Sequence, residues 1–232
     1  MKRYLLPAVI ALLLSSSVFA AETGKLLPTS DADAAWLAQA RAAYPLKICV
    51  VSDEALDSMG DSPERIYRVQ GKPDRLVIFC CDGCEADFKS EPAGFIAKLD
   101  AAAKADATAH AKDAAVAAMN TWLSDVDHDH YGRSWDTASV AFKKAITRDA
   151  WIAALKQVRS PLGSRSSRQL LDAKFTTKLP SPAGAVEGEF VLAQFNTAFE
   201  NAPKSIETVT FSKESDGTWK CAGYYIKAAP SP

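Results

Sequence analysis

Residues 100–114 contain alanine, lysine, aspartate, one threonine and one histidine, and no large apolar side chain. Alanine loses no side-chain entropy in a helix and lysine loses little, so the run favours helix. It has nothing to bury, so no hydrophobic core can close around it. A chain of 232 residues is long enough for one large domain or two small ones. This run makes two the expectation: a solvated helical connector over 101–114, one module before it and another after it.

The first twenty residues read as a secretory signal. Lys2 and Arg3 form a basic start, Leu5 to Leu14 an apolar stretch broken by Pro7, and Val18-Phe19-Ala20 ends in the small residue that cleavage requires. The apolar stretch is too short for a permanent span. The expected product is exported, periplasmic or secreted, with cleavage near Ala20. No second long apolar segment follows, so the chain is not expected to span a membrane. The formal net charge is -1, and no Lys/Arg-rich stretch alternates with aromatics. Nucleic acid is therefore not an expected partner.

Over 21–43 the pattern predicts a flexible leader to residue 29, then a helix. Asp31 and Asp33 favour its positive end, and Ala35, Trp36, Ala40 and Ala43 could form its buried face. Short strands are predicted around Ile48-Cys49-Val50, at 66–69 and at 76–79, with Gly71-Lys72-Pro73 between the last two. Helices are predicted from Cys84 to Lys89, and after Pro92 with Phe95, Ile96 and Leu99.

After the connector, Val116, Met119, Trp122, Leu123 and Val126 recur at helical spacing. Trp135, Ala138, Phe142 and Ile146 do so again, and Trp151, Leu155 and Val158 a third time. From Leu170 onward the pattern turns to strands: one through Ala173, Phe175 and Thr177, one at 190–195, and a hairpin of 207–211 with 219–226 across Asp216-Gly217. Helices followed by an antiparallel meander define an α+β chain, with this second domain at 115–227 and a tail at 228–232.

Four of the five cysteines fall in the first half, as Cys49 and then Phe79-Cys80-Cys81-Asp82-Gly83-Cys84. Closely spaced thiolates at a strand-to-helix turn can present several sulfurs to one soft or borderline ion. Adjacent residues on a strand point to opposite faces, so Cys80 and Cys81 can share an ion only if the chain turns there. Cys49, Cys80, Cys81 and Cys84 are thus the candidate metal ligands, with Zn or Cu(I) as the ion. Three thiolates suit Cu(I); zinc would want a fourth ligand. Two alternatives stay open. Export favours oxidation, so the same cysteines could form structural disulfides. Alternatively, Cys81 and Cys84, as Cys-x-x-Cys at a helix start, could act as a thiol–disulfide oxidoreductase. Cys221, alternating with Trp219 and Gly223 on the last strand, reads as a buried apolar residue.

Tyr44-Pro45-Leu46 with Cys49, then Phe79-Cys80-Cys81-Asp82-Gly83-Cys84, Phe88, Pro92 and Phe95, resembles a YHS or TRASH-type metal-binding module over 44–100. Cys49, Cys80 and Cys84 match that pattern, and Cys81 is extra. The resemblance implies heavy-metal handling and a small treble-clef-like fold. Trp122, Tyr131, Ser134-Trp135, Phe142, Trp151, Leu155, Arg159, Pro161-Leu162-Gly163, Arg168, Gly217-Thr218-Trp219 and Gly223-Tyr224 resemble the bacterial family called domain of unknown function 4019. That resemblance implies no activity. The helices-then-sheet order is similar to cystatin or NTF2-like cones, which can bind a small molecule or protein.

The cluster Asp125, Asp127, His128, Asp129 and His130 reads as a helix boundary more readily than as a metal site. Arg159 and Arg168 could hold an anion, but pairing with acids is the favoured reading. No Ser-His-Asp order, phosphate loop or His-Glu-x-x-His appears, so no catalytic residue is assigned and binding is expected rather than catalysis.

Overall fold

A computed structural model describes residues 24–180 and 184–229. The signal-peptide reading, on 1–20, and all but the start of the 228–232 tail lie outside the described residues. The chain is α+β and divides into two compact units, residues 1–100 and 101–232.

In the first unit, β1 (Lys25–Pro28), β2 (Glu64–Arg68) and β3 (Arg75–Ile78) form an antiparallel sheet in that order. Part of the expected leader is therefore a strand: Leu26 pairs with Tyr67, and Leu27 with Ile66. Helix α1 (Ala34–Ala42) is capped by Asp33, whose carboxylate accepts from the Trp36 N–H at 2.9 Å. Its expected buried face is not buried; Ala35 and Ala43 are exposed, and Trp36 and Ala40 only half-covered. After β3 come α2 (Gly83–Ser90) and α3 (Pro92–Asp127). Phe88 of α2 is fully buried. It meets Tyr67 and Phe79 edge-on, with centroids 5.3 and 5.6 Å away, and stacks on Phe95 at 5.8 Å. Val50, Val77 and Leu99 complete an apolar core that also encloses Cys49, Cys80 and Cys84.

The predicted helix after Pro92, the connector and the Val116–Val126 helix prove to be one 36-residue helix. Nothing in 100–114 breaks it, since alanine and lysine sustain helix without burial.

In the second unit, α4 (Tyr131–Asp136), α5 (Val140–Ala145) and α6 (Arg148–Val158) follow. The single period expected from Trp135 to Ile146 is thus split. Ser139 starts a new helix, its hydroxyl accepting from the Phe142 N–H at 3.1 Å, as an N-cap serine does. Val158 is 53 % exposed and leaves the predicted apolar face. Strands β4 (Arg165–Leu179), β5 (Val186–Phe199), β6 (Ala202–Lys213) and β7 (Trp219–Ala228) form a four-stranded antiparallel meander. Most run longer than their apolar centres suggested. The β6–β7 turn carries Gly217 at φ 81°, and the Asp216 carboxylate accepts from the Thr218 N–H at 2.9 Å. A positive φ there suits glycine.

One sheet face, with Val191, Ala193, Phe195, Val209, Phe211 and Cys221, packs in a core with Met119, Trp122, Leu123, Phe142 and Trp151. The two tryptophans donate to the same residue: Trp122 Nε1 to Ser134 O at 2.7 Å and Trp151 Nε1 to Ser134 Oγ at 2.9 Å. Buried indole donors are satisfied in this way while their rings supply the apolar area. Among the described residues no helix is long and apolar enough to cross a membrane.

Candidate metal centre

Cys49 does not lie on the expected strand. Ile48 makes one isolated bridge to Ala55, and the chain between them folds into a tight turn. Within it the Cys49 N–H donates to Glu54 O at 2.7 Å, and the Asp53 N–H to Cys49 O at 3.2 Å. Asp53 takes φ 63°, a left-handed conformation that aspartate tolerates better than most residues. Too few pairings remain on either side of Cys49 to extend a ladder.

The other three cysteines sit where β3 passes into α2. The strand ends at Ile78, residues 80–82 bend, and the Cys84 N–H donates to Cys81 O at 3.3 Å as the helix begins. That bend removes the strand alternation that would have set Cys80 and Cys81 on opposite faces. Cys80 Sγ lies 3.7 Å from Cys84 Sγ, and Cys81 Sγ lies 3.9 Å from each of them.

The sulfurs of Cys49, Cys80 and Cys84 all lie within 4.8 Å of one another. These three are buried, at 0 %, 1 % and 7 % exposure, whereas Cys81 is partly buried and stands outside that set. All five cysteines are free thiols, and the separations among the clustered sulfurs far exceed the roughly 2.0 Å of a disulfide. Sulfurs bound tetrahedrally at about 2.3 Å from one zinc ion stand about 3.8 Å apart. The residues present therefore fit a thiophilic ion in donor type and spacing. Ser52 was not anticipated from the sequence; its hydroxyl is 3.3 Å from Cys80 Sγ.

The thiols are unequal. Burial opposes ionisation of Cys49, but donors from the Ser52 hydroxyl and from the Ser52, Cys80 and Val51 N–H groups outweigh it and lower the thiol to about 6. Cys84 is pushed up to about 12, first by burial and then by donating toward Cys80 and Cys49. Cys81 is lowered, chiefly by the N–H groups of Cys84 and Gly83 at the start of α2.

The second unit holds its own buried charges. Asp127, from the acidic–histidine cluster, is engaged by three arginines: Arg168 Nη1 at 2.7 Å, Arg165 Nε at 2.8 Å and Arg159 Nη2 at 3.3 Å. Arg168 also donates to Glu207 at 2.6 Å, and Glu207 is fully buried. Thr197 donates to the same carboxylate at 2.5 Å, and the Tyr224 hydroxyl donates to it as well. The guanidinium of Arg159 lies 4.3 Å from the centre of the Phe199 ring. Acid pairing is thus the observed state of both Arg159 and Arg168. Glu207 was missed, although a lone acid in the alternating run Ser205, Glu207, Val209, Phe211 marks an inward-facing charge.

The geometry defines an α+β chain with a buried thiol cluster in one unit and a self-paired charge network in the other. Residues 117–224 match the model of a family described as a protein of unknown function (DUF4019). The match does not extend to 44–100, where no family match supports the YHS or TRASH resemblance. No curated protein and no solved structure matches the chain.

Proposed function

We propose that this is an exported, non-catalytic protein whose first unit binds one thiophilic ion, Zn(II) or Cu(I), through Cys49, Cys80 and Cys84, with Cys81 adjacent. One observation carries the reading: three buried sulfurs converge within 4.8 Å of one another inside an apolar core. The order of elements, a tight turn with Cys49, the β2–β3 hairpin and then a helix that opens at Gly83 and carries Cys84 in its first turn, supports a treble-clef-like module of YHS or TRASH type. When bound, the ion would join these three elements and offset the repulsion between thiolates. In this reading the second unit, with the cystatin- or NTF2-like order of its elements, serves as a binding domain for a small molecule or protein.

The test is elemental analysis of protein purified from the exported fraction, with free-thiol titration before and after chelation. One equivalent of Zn or Cu, lost in Cys49→Ser and Cys84→Ser, is the expected result. Metal-free protein with disulfides among these cysteines would refute it. A second reading, thiol–disulfide exchange by Cys81 and Cys84, is favoured by one feature: Cys81 is the accessible, lowered thiol and Cys84 the buried one 3.9 Å behind it. Turnover of a disulfide substrate, abolished in Cys81→Ser, would select that reading.

A further inference from the structure

We propose that Cys81 is the entry thiolate of the cluster: it takes an arriving thiophilic ion from its carrier and passes it inward, without being a permanent ligand. This rests on the metal-binding reading above. Access sets Cys81 apart from the other three. Cys49, Cys80 and Cys84 are 0 %, 1 % and 7 % exposed, so a carrier bearing an ion cannot bring it into contact with them. Cys81 alone among the four is only partly buried, and its sulfur lies 3.9 Å from both Cys80 and Cys84. An ion held at Cys81 is therefore within one ligand exchange of two inner sulfurs.

The surroundings suit a cation. Asp82, next in the chain, has a side chain 87 % exposed whose carboxylate meets Arg65 only at 3.8 Å. An exposed carboxylate one residue along the chain from the entry cysteine adds negative potential at this end of α2. Arg65 is drawn away by a closer contact, 2.9 Å, to Glu85.

The transfer balances without any change of oxidation state. The Cys81 sulfur bonds the ion as a carrier ligand leaves. The Cys84 thiol then gives its proton to solvent and its sulfur bonds the ion. Cys80 and Cys49 displace the remaining carrier ligands, each releasing its proton to solvent where it starts as a thiol, and the bond to Cys81 breaks as the third inner sulfur binds.

The test separates rate from affinity. Zn(II), and in a second series Cu(I), is supplied to the reduced full chain as a complex with a coloured chelator, and its release is followed by absorbance. Wild type, Cys81→Ser, Cys81→Ala and Cys49→Ser are compared, with circular dichroism confirming the fold. Both Cys81 variants are expected to keep the wild-type stoichiometry and to hold the ion within a fewfold of wild-type affinity. Their uptake should slow roughly tenfold, a barrier change of about 1.36 kcal/mol. A small soluble thiol should restore the rate to Cys81→Ser, since it can serve as an external shuttle. Cys49→Ser should instead lose affinity. Loss of affinity in Cys81→Ser as large as in Cys49→Ser would make Cys81 a permanent ligand and overturn the proposal, as would unchanged uptake rates. A wild type that takes up neither ion would fail the metal-binding reading itself, a result distinct from either of these.

Discussion

Both units bury ionisable groups, but they balance them differently. In the second unit, Asp127 and Glu207 are matched by arginines of the same chain, and Thr197 and Tyr224 fill the remaining acceptor sites. In the first unit, the sulfurs of Cys49, Cys80 and Cys84 converge in an apolar core, met by the Ser52 hydroxyl, backbone N–H groups and the Cys81 sulfur. Burying charge without a partner costs several kcal/mol. Buried carboxylates matched by arginines of their own chain leave no negative charge for an external cation to balance. A buried set of potential anions without such partners is poised for an external cation, and that contrast sets the cysteine cluster apart from the arginine network.

The largest expected effect tests the self-paired side. Glu207→Gln removes one charge of the network and leaves Arg168 short of a partner, which should destabilise the second unit by about 3–5 kcal/mol. Urea unfolding followed by tryptophan fluorescence measures it, and a loss below 1 kcal/mol would show that the network is not a buried charge set. Next, Phe88→Ala empties the aromatic centre of the first unit and should cost about 3 kcal/mol. Its signature is loss of protection in 44–100 by hydrogen exchange, with the second-unit strands unaffected. If both units respond equally, they do not unfold independently.

Free metal at about 100 times its Kd should stabilise the first unit by roughly 2.7 kcal/mol, a gain that a chelator removes. The second unit should not respond, and a shift there would break the contrast. Acid sharpens it further. The Asp127 carboxyl is lowered: burial opposes this, but the bonds from Arg168, Arg165 and Arg159 prevail. Its stabilisation is therefore complete above the ordinary value of 3.8 and is lost as pH falls from there through the folded value, because the unfolded chain binds the proton first. Asp127→Asn should flatten that part of the stability–pH curve. The smallest effect is local: Ser139→Ala and Thr147→Ala each remove an N-cap acceptor, used by Phe142 and Ala150, and should cost about 1 kcal/mol.

Much of the fold was legible because burial follows period. Met119, Trp122, Leu123 and Val126 kept their helical face, and Val191, Ala193 and Phe195 their strand face. What failed did so for local reasons. The Cys49 strand was read from apolar neighbours, but a turn closed by Asp53 and Glu54 takes its place. The Trp135–Ile146 period hid a cap at Ser139, since spacing alone does not reveal where a helix restarts. Cys80 and Cys84 were read together from their spacing and Cys49 from its match to the YHS or TRASH pattern, and folding brings the three sulfurs within 4.8 Å of one another. Ser52 carries no motif and Glu207 is marked only by the alternation of its strand; the contacts with Cys80 and Arg168 span distant parts of the chain.

The lone cysteine of the second unit has a practical consequence. Cys221 is fully buried on β7, and burial pushes its thiol well above the ordinary range. Its sulfur can meet an alkylating reagent only when that core opens, whereas partly buried Cys81 is accessible in the folded state. One chain therefore carries two intrinsic chemical clocks. Labelling at Cys81 and its neighbours times occupancy of the cluster, and labelling at Cys221 times the breathing of the sheet, so both can be read from the same digest.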